Sequence, residues 1–575
     1  VRYHALATDY DGTLAHHGRV DEATLQALEE LRRSGRRLIL VTGRMLDDLQ
    51  RVFSRIELFD RVVAENGALV YAPDTRETRV LAEPPLPEFV DALRRRGVSP
   101  LATGQAIVAT SEPHETAVIE AIRELGLELQ VIFNKGAVMV LPSGVNKATG
   151  LLTALGDLSL SPHNVVGIGD AENDHAFLSL CECAVTVADA LPMLKERADL
   201  VTSAGWGAGV VELIRGLVES DLSGLEPRLA RHRIPLGRTH QEEAILVPPY
   251  GVSVLLAGTS GSGKSTLTQG FLERLAEQRT QFCVIDPEGD YAHLEGAVVL
   301  GDSKRVPGIQ EVIGLLEDPS RNGVANLLGV PLANRPEYLE ALLAAVTDLR
   351  SRTGHPHWLV VDEAHHALPA AHARAPQSVP RGMHGAFLIT VHPDEVAPEI
   401  LQDVGLMLVV GREPAETMRR FAHAVGVRAP RVRDEPLDPG EAIAWPVADS
   451  KRPPARFRVQ PPRGERQRHH RKYMEGELAP DRSFYFRGPD GRLNLRVQNL
   501  SLFNQIADGL DDDTWLFHLR QGDYSRWFRE QIKDEDLAAE AASIEENEAL
   551  LPMESRARIR AAIESRYTAP AESPR

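Results

Sequence analysis

The sequence predicts a multidomain α/β chain. A Rossmann-like parallel-sheet core carries a small α/β insertion, a second α/β domain is built on another parallel sheet, and a small α+β domain closes the C-terminal end. Three observations predict it. Short apolar runs alternate with amphipathic segments through 1–220, and again from Val252 to about 450. That is the pattern of strands and helices exchanging along a parallel sheet. Proline-rich breaks interrupt the alternation at Pro248-Pro249-Tyr250-Gly251, at Arg452-Pro453-Pro454 and at Pro461-Pro462-Arg463. The 575 residues also exceed what one core organises; at roughly 150 residues per domain, three or four domains are expected.

The boundaries that follow are a first domain over 1–220 with its insertion at about 82–140, a linker over 221–240, a second domain over 241–450, a linker and basic segment over 451–482, and a small domain with a tail over 483–575.

Charge narrows the function classes. Of the 64 Lys+Arg and 82 Asp+Glu that give a net −18, residues 1–220 hold 21 and 31, residues 221–450 hold 21 and 30, and residues 451–575 hold 22 and 21. No region has the basic excess of a domain that neutralises nucleic-acid phosphates, so tight DNA binding is not expected. No apolar run reaches the roughly 18 residues of a membrane span, and no basic-then-apolar leader opens the chain. Three cysteines (Cys181, Cys183, Cys283) make no disulfide framework and lack the companions of a zinc site. They read as small buried hydrophobes, and a cytoplasmic location is expected.

The first chemistry sits at the first strand. Ala5-Leu6-Ala7-Thr8 runs into Asp9-Tyr10-Asp11-Gly12-Thr13-Leu14. Two carboxylates two residues apart at a strand end point the same way. Such a pair can share a cation and a phosphate, one attacking phosphorus while the other protonates the leaving oxygen. Leu38–Val41 is a second strand, ending in Thr42-Gly43-Arg44, a hydroxyl and backbone amides suited to phosphate oxygens. Lys147 supplies a positive charge for a developing negative one. Val165–Gly169 is another strand, ending in Asp170-Ala171-Glu172-Asn173-Asp174, a carboxylate cluster suited to hard magnesium. Each group falls at the C-terminal end of a strand, where open α/β sheets place their sites.

These four ordered segments resemble the haloacid dehalogenase (HAD) superfamily over about 1–218. The resemblance implies a Rossmannoid core. Asp9 is then the nucleophile that forms an aspartyl-phosphate, and Asp11 the general acid/base. Thr42 and Lys147 hold the phosphoryl group. Asp9, the Asp11 backbone carbonyl and Asp170 bind Mg2+, with Asp174 in support. The insertion reads as helix Leu86–Arg96, strand Ala106–Ala109, helix Glu115–Leu125, then strands Leu129–Phe133 and Ala137–Leu141. It looks like the small α/β cap of the Cof-like group, which includes sucrose-phosphate and archaeal phosphoglycolate phosphatases. A small phosphorylated metabolite is the implied substrate, a sugar phosphate or a phosphoglycolate-like ester.

The second domain opens on strand Val252–Ala257 followed by Gly258-Thr259-Ser260-Gly261-Ser262-Gly263-Lys264-Ser265-Thr266 and an amphipathic helix. This is a full P-loop in its strand–loop–helix context. Its backbone amides face ATP phosphates, Lys264 reaches the β and γ positions, and Ser265 ligates Mg2+. Strand Trp358–Val361 ends in Asp362-Glu363. Asp362 is placed to order the metal's shell, and Glu363 to activate water for ATP hydrolysis. Thr390 and His392 end a further strand, as γ-phosphate sensors or as ordinary strand-end polarity.

The gap between P-loop and Asp362 suits a RecA-like P-loop NTPase. Asp286-Pro287-Glu288-Gly289-Asp290-Tyr291 resembles an element of HerA/FtsK-like ATPases over about 245–445, with Asp290 where Glu is usual. Members of that group often form hexameric rings and move DNA, so the resemblance implies a homo-oligomer, with Arg412, Arg419 and Arg420 available as fingers to a neighbour or as plain surface arginines.

The tail offers less. Phe484-Tyr485-Phe486, Gly-Pro-Asp-Gly over 488–491 and Leu493–Arg496 read as a β-hairpin. Asp513 or Thr514 is expected to cap the helix carrying Trp515, and the Ala/Glu/Arg-rich stretch after Asp536 reads as a solvated helix. The stretch Arg466–Lys472 is basic. The function expected is bifunctional, phosphomonoester hydrolysis plus ATP hydrolysis. Two alternatives stay open: nucleic-acid end processing by a phosphatase and a kinase, or a nucleotide-switched regulatory ATPase with a vestigial phosphatase.

Overall fold

The computed structural model describes residues 1–567 apart from 135, 225–228, 230–231, 371–383, 434, 448, 450–451, 464–472, 475–477, 479–481, 492, 533 and 548. The basic stretch Arg466–Lys472 therefore lies outside the described residues. The chain forms two compact units: Val1–Arg233 with 313–321 and 345–357, and Ile234–Val312 with 322–344 and 358–575. Among the described residues no helix is long and apolar enough to cross a membrane.

The first unit is built on an eight-stranded sheet. Its order is 200–201, 183–186, 165–169, 5–8, 37–41, 61–64, 69–72, 77–80, parallel up to 61–64 and antiparallel beyond. Strand Ala5–Thr8 is buried at every position because both faces are covered. Helix Glu22–Arg33 shows how one face is built. The Asp21 carboxylate accepts from the Thr24 amide at 2.7 Å and starts the helix. Ala27, Leu28 and Leu31 then recur at helical spacing on the buried side.

The insertion is a separate four-stranded antiparallel sheet in the order 102–103, 108–111, 137–142, 129–134, with helices Pro87–Arg95 and Glu115–Leu125. Phe89, Leu93, Val118 and Val140 form its own small core. The expected strand Ala106–Ala109 lies slightly later, at Val108–Ser111. The three cysteines are buried.

The second unit holds an eleven-stranded sheet in the order 244–247, 234–239, 455–459, 441–446, 404–410, 253–258, 386–390, 358–361, 282–286, 322–326, 297–300. Its P-loop strand Ser253–Gly258 runs parallel to both neighbours, and the four strands beyond 404–410 are antiparallel. Two of those four fall in stretches that read as linkers. Ile234–Thr239, inside 221–240, pairs with Ala455–Val459, inside 451–482. Pro235 sits where the register shifts, a place in a ladder that tolerates a missing donor. Proline punctuation thus marked strand irregularity there, not only a connection.

The C-terminal hairpin forms as expected, Phe484–Phe486 against Leu495–Val497. Five helices follow, packing Phe503, Trp515, Tyr524, Trp527 and Phe528 into one cluster. Two readings are corrected. The helix carrying Trp515 is capped by Asp511, whose carboxylate accepts from Thr514 N at 2.8 Å, and neither Asp513 nor Thr514 is the cap. In the run Asp511-Asp512-Asp513 only the first has extended backbone. The stretch after Asp536 is also not a solvated helix. Leu537, Ala538, Ala541, Ile559, Ala562 and Ile563 are buried in the same core, because alanines at helical spacing make a thin apolar face that composition conceals.

Candidate functional sites

In the first unit, strands 5–8 and 165–169 lie side by side, and the Asp9 amide donates to Ile168 O at 3.0 Å. Their C-terminal ends carry Asp9 and Asp170, so the two carboxylates converge. Lys147 starts the helix Lys147–Asp157, capped by Asn146. Its Nζ donates to Asp9 Oδ1 and to Asp174 Oδ1, each at 2.6 Å. The other Asp174 oxygen accepts from the amides of Asp170 and Ala171 at 2.8 and 2.9 Å. Thr13 Oγ1 donates to Asp170 Oδ1 at 3.0 Å. Asp9, Asp170 and Asp174 each offer an oxygen within 4.8 Å of the others.

The group is sealed from water: Asp9, Asp170, Asp174 and Lys147 are 4%, 3%, 0% and 1% exposed. Burial, then the charge of Asp174, push the Asp9 carboxyl well above its usual range, although Lys147 pulls it down. Lys147 stays firmly cationic: burial works against its charge, but Asp174 and Asp9 outweigh it. Three buried carboxylates around a single ammonium carry excess negative charge, and an all-oxygen donor set suits a hard divalent cation. The residues present fit Mg2+.

Thr42 is buried at the end of the neighbouring strand, and its Oγ1 accepts from the Arg44 amide at 3.1 Å. Asp11 is not brought into the cluster. Its carboxylate is held bidentately by Arg44, Nε to Oδ2 at 2.6 Å and Nη2 to Oδ1 at 2.8 Å, and Arg44 also binds Asp48 at 2.5 Å. Sequence reasoning credited the Thr42-Gly43-Arg44 turn with a hydroxyl and amides and missed this guanidinium. The signal was the arginine standing three residues past the strand end.

A second feature missed is the turn at Glu65 and Asn66. Both residues take left-handed backbone, φ 50° and 54°, which is costly for side chains of their kind and is found where function over-determines the geometry. The buried Glu65 carboxylate accepts from the amides of Gln105 and Ala106 in the cap, at 3.0 and 2.8 Å. Asn66 accepts from Asn173 at 3.0 Å. Gly67 then passes so close to the Asn146 carbonyl that a Cβ there would stand 1.9 Å away. Cap residue Met139 reaches the phosphate-facing turn, with its sulfur 3.3 Å from where a Gly43 Cβ would be.

In the second unit, the loop after strand Ser253–Gly258 turns through Gly261 and Gly263 at φ 73° and 98°, and the helix Lys264–Glu277 begins there. Lys264 Nζ donates to the carbonyls of Gly258 and Thr259 at 2.8 and 3.0 Å. Two strands away in the sheet, Asp362 ends strand 358–361 and is 8% exposed. Burial, then Glu363, Asp290, Asp286 and Glu288, push its carboxyl well above the ordinary range.

Asp286 organises the Asp286–Tyr291 turn: its carboxylate accepts from the amides of Gly289, Asp290 and Tyr291 at 2.7, 3.0 and 2.8 Å. Thr390 Oγ1 lies 3.1 Å from His365 Nδ1 and accepts from the His392 amide at 3.0 Å. Arg412, Arg419 and Arg420 are exposed and pair with Asp536 and Glu416.

The fold and the carboxylate–lysine site are those of a haloacid dehalogenase-like hydrolase, and the family model of that description matches residues 6–130 and 105–214. Over 222 residues the chain is 33% identical to a phosphoglycolate phosphatase of Methanothermobacter thermautotrophicus, spanning 37% of this chain and 97% of that protein. It is 29% identical over 218 residues to a phosphoglycolate phosphatase of Haloarcula marismortui, spanning 36% and 95%. Among solved structures, a haloacid dehalogenase-like hydrolase from Bacteroides thetaiotaomicron is 19% identical, covering 37% of this chain and 99% of its own, with a TM-score of 0.34. Residues 252–341 match the model described as Helicase HerA, central domain. The chain belongs to the haloacid dehalogenase-like hydrolases, with a HerA-like central domain fused behind the hydrolase.

Proposed function

We propose that the first unit hydrolyses a small phosphomonoester through an aspartyl-phosphate, and that the HerA-like domain binds and hydrolyses ATP. The observation that carries the first part is the Lys147 ammonium shared between Asp9 and Asp174, with Asp170 alongside. A carboxylate so placed is aimed, desolvated and kept in position for attack.

In the reaction, Asp9 forms a bond to phosphorus as the ester P–O bond breaks, and the leaving alkoxide takes a proton from Asp11. Water then attacks the aspartyl-phosphate, giving its proton to Asp11 and releasing phosphate and the Asp9 carboxylate. Lys147 and the Thr42 hydroxyl stabilise the charge on the phosphoryl oxygens. Mg2+, when bound, would be held by Asp9, the Asp11 carbonyl and Asp170 and would neutralise phosphoryl charge. Asp11 must leave Arg44 to reach the leaving oxygen, so the Arg44 pair describes a resting arrangement.

The curated relatives named phosphoglycolate phosphatases favour a phosphoglycolate-like substrate, and the cap over Gly43 favours a small one. In the second unit, the P-loop Gly258–Thr266 would take the ATP phosphates, Ser265 and Asp362 would hold Mg2+, and Glu363 would activate water.

Asp9→Asn is expected to reduce hydrolysis of an aryl phosphate to background while ATP hydrolysis persists. Lys264→Ala is expected to do the reverse, since it removes the P-loop ammonium. Full phosphatase activity in Asp9→Asn would overturn the nucleophile. A panel of small phosphate esters, with 2-phosphoglycolate among them, identifies the substrate.

A further inference from the structure

Away from the carboxylate–lysine site, the first unit contains a second cluster of metal-ligating type that phosphoryl chemistry does not use. His163 lies in the 3-10 turn Pro162–Asn164, Glu182 immediately precedes strand Cys183–Thr186, and His232 lies beyond the last helix of the core, Trp206–Ser220. His163 Nδ1 is 2.7 Å from Glu182 Oε2, and His232 Nε2 is 3.8 Å from the same oxygen. One donor atom from each residue lies within 4.8 Å of the other two. Their side chains are 7%, 1% and 15% exposed.

We propose that His163, Glu182 and His232 form a binding site for a borderline transition-metal ion of the Zn2+ class, which fastens the segment at His232 to the hydrolase core. Around a tetrahedral ion with bonds of about 2.0–2.1 Å, neighbouring donors stand about 3.3 Å apart. The observed 2.7 and 3.8 Å bracket that spacing, so small side-chain movements suffice. Two imidazoles and one carboxylate favour Zn2+, Co2+ or Ni2+ over Mg2+, which prefers an all-oxygen shell. The two clusters are therefore chemically distinct: oxygen donors around Lys147, and two nitrogens with one oxygen here.

The carboxylate is also oriented from behind. Arg2 Nη2 donates to Glu182 Oε1 at 2.5 Å, leaving Oε2 turned to the histidines. A ligating carboxylate fixed by an outer hydrogen bond is the usual arrangement around protein metals. Burial raises the Glu182 carboxyl, but the His163 hydrogen bond and its other neighbours hold it below its usual range. The ring of His357 stands edge-on to His163 at 5.4 Å. Burial holds His357 uncharged, so that imidazole adds no repulsion toward a cation. Arg2, bonded to the other Glu182 oxygen, opposes a cation only across that carboxylate. On metal binding, the Nδ1 proton shared with Glu182 leaves that nitrogen, passing to Nε2 of the same ring or to solvent.

The test uses the full chain, stripped with a chelator and then kept in excess Mg2+ to fill the all-oxygen site. Co2+ is titrated in and its visible d–d absorption followed, with Zn2+ as competitor. One Co2+ per chain, displaced by Zn2+ and not by Mg2+, is expected. His232→Ala, at a partly exposed position, is expected to weaken Co2+ binding at least about tenfold while circular dichroism and aryl phosphatase activity stay unchanged. Asp170→Asn is expected to leave the Co2+ signal intact. A wild-type chain that takes up no Mg2+-resistant Co2+ overturns the proposal. So does a Co2+ signal that survives His232→Ala, or one that disappears with Asp170→Asn.

Discussion

Replacing Lys147 with methionine tests the charge arrangement of the hydrolase site. Methionine keeps most of the side-chain length and all of its burial, but removes the ammonium. The loss takes away two charge-assisted hydrogen bonds of 2.6 Å, to Asp9 and Asp174. It leaves three carboxylates at 4%, 3% and 0% exposure with no buried cation between them. Breaking a buried pair by removing one partner costs about 3–5 kcal/mol. For a unit of this size each kcal/mol is worth roughly 2–4 °C in thermal midpoint, so without divalent metal the hydrolase transition should fall by about 6–20 °C. Mg2+ should restore part of that loss, because a divalent cation among the same oxygens replaces the missing charge. The Mg2+-induced rise in midpoint should therefore be larger in Lys147→Met than in wild type. Turnover should fall further than stability explains, by about 10²–10³ at a temperature where both proteins are folded. Differential scanning calorimetry with and without Mg2+, and aryl phosphate hydrolysis, read both effects. A variant with an unchanged midpoint, an unchanged Mg2+ increment and activity within a few-fold of wild type would refute the view that Lys147 holds this site together.

Two other expectations follow from named contacts. Glu65→Ala removes the acceptor for the Gln105 and Ala106 amides at the cap junction; leaving buried donors unmet should cost about 1–3 kcal/mol each, and steady-state kinetics should show a raised KM with a smaller change in kcat, whereas unchanged KM and stability would dismiss the latch. Burial holds His355 and His357 below the ordinary imidazole range, so the unfolded chain takes up protons near pH 6.5 that the folded unit refuses. Stability is then intact above that pH and falls as pH drops below it, by up to about 1.4 kcal/mol per pH unit for each histidine. Chemical denaturation at pH 7 and pH 5 should show that fall, and His357→Gln should make it shallower; an equal slope in the variant would remove His357 from the account.

The parts of the site legible in the sequence are those that strand-end geometry dictates. Asp9, Thr42 and Asp170 each follow an apolar run, and a parallel sheet puts the ends of such runs in one row, so their convergence needed no long-range information. Lys147 was legible only as a charge; that its ammonium lies between Asp9 and Asp174 depends on where helix Lys147–Asp157 docks, which no local pattern states. The P-loop was legible for the same reason as Asp9, since glycines, lysine and hydroxyl sit in consecutive positions after a strand. Antiparallel strands 234–239 and 455–459 were not, because each is short and carries a proline or arginines, and although each has a local partner, their pairing with each other joins segments more than 200 residues apart. The helical stretch after Asp536 was misread from composition, since alanine contributes to a buried face without looking apolar.

Arg44 shows why a motif can be found and its chemistry still be incomplete. The turn Thr42-Gly43-Arg44 was recognised for its hydroxyl and amides, and its carbonyls also accept the amides of Glu65 and Asn66. The side chain, however, reaches back across the strand ends to Asp11, the residue two positions past the nucleophile. A guanidinium donating to both oxygens of Asp11 holds that carboxylate apart from the Asp9–Lys147 pair, so the two carboxylates of the Asp9-Tyr10-Asp11 motif are split in this structure. In the proposed mechanism Asp11 has to leave Arg44 before it can act as acid, and a competing anion would favour that step. A leaving group that carries a carboxylate would compete with Asp11 for Arg44 and an aryl leaving group would not, so 2-phosphoglycolate is expected to turn over faster than the aryl phosphate. Under the proposed mechanism the Arg44–Asp11 pair and a phosphoglycolate-like substrate make one expectation: the ester's own carboxylate would free Asp11 to act as the acid.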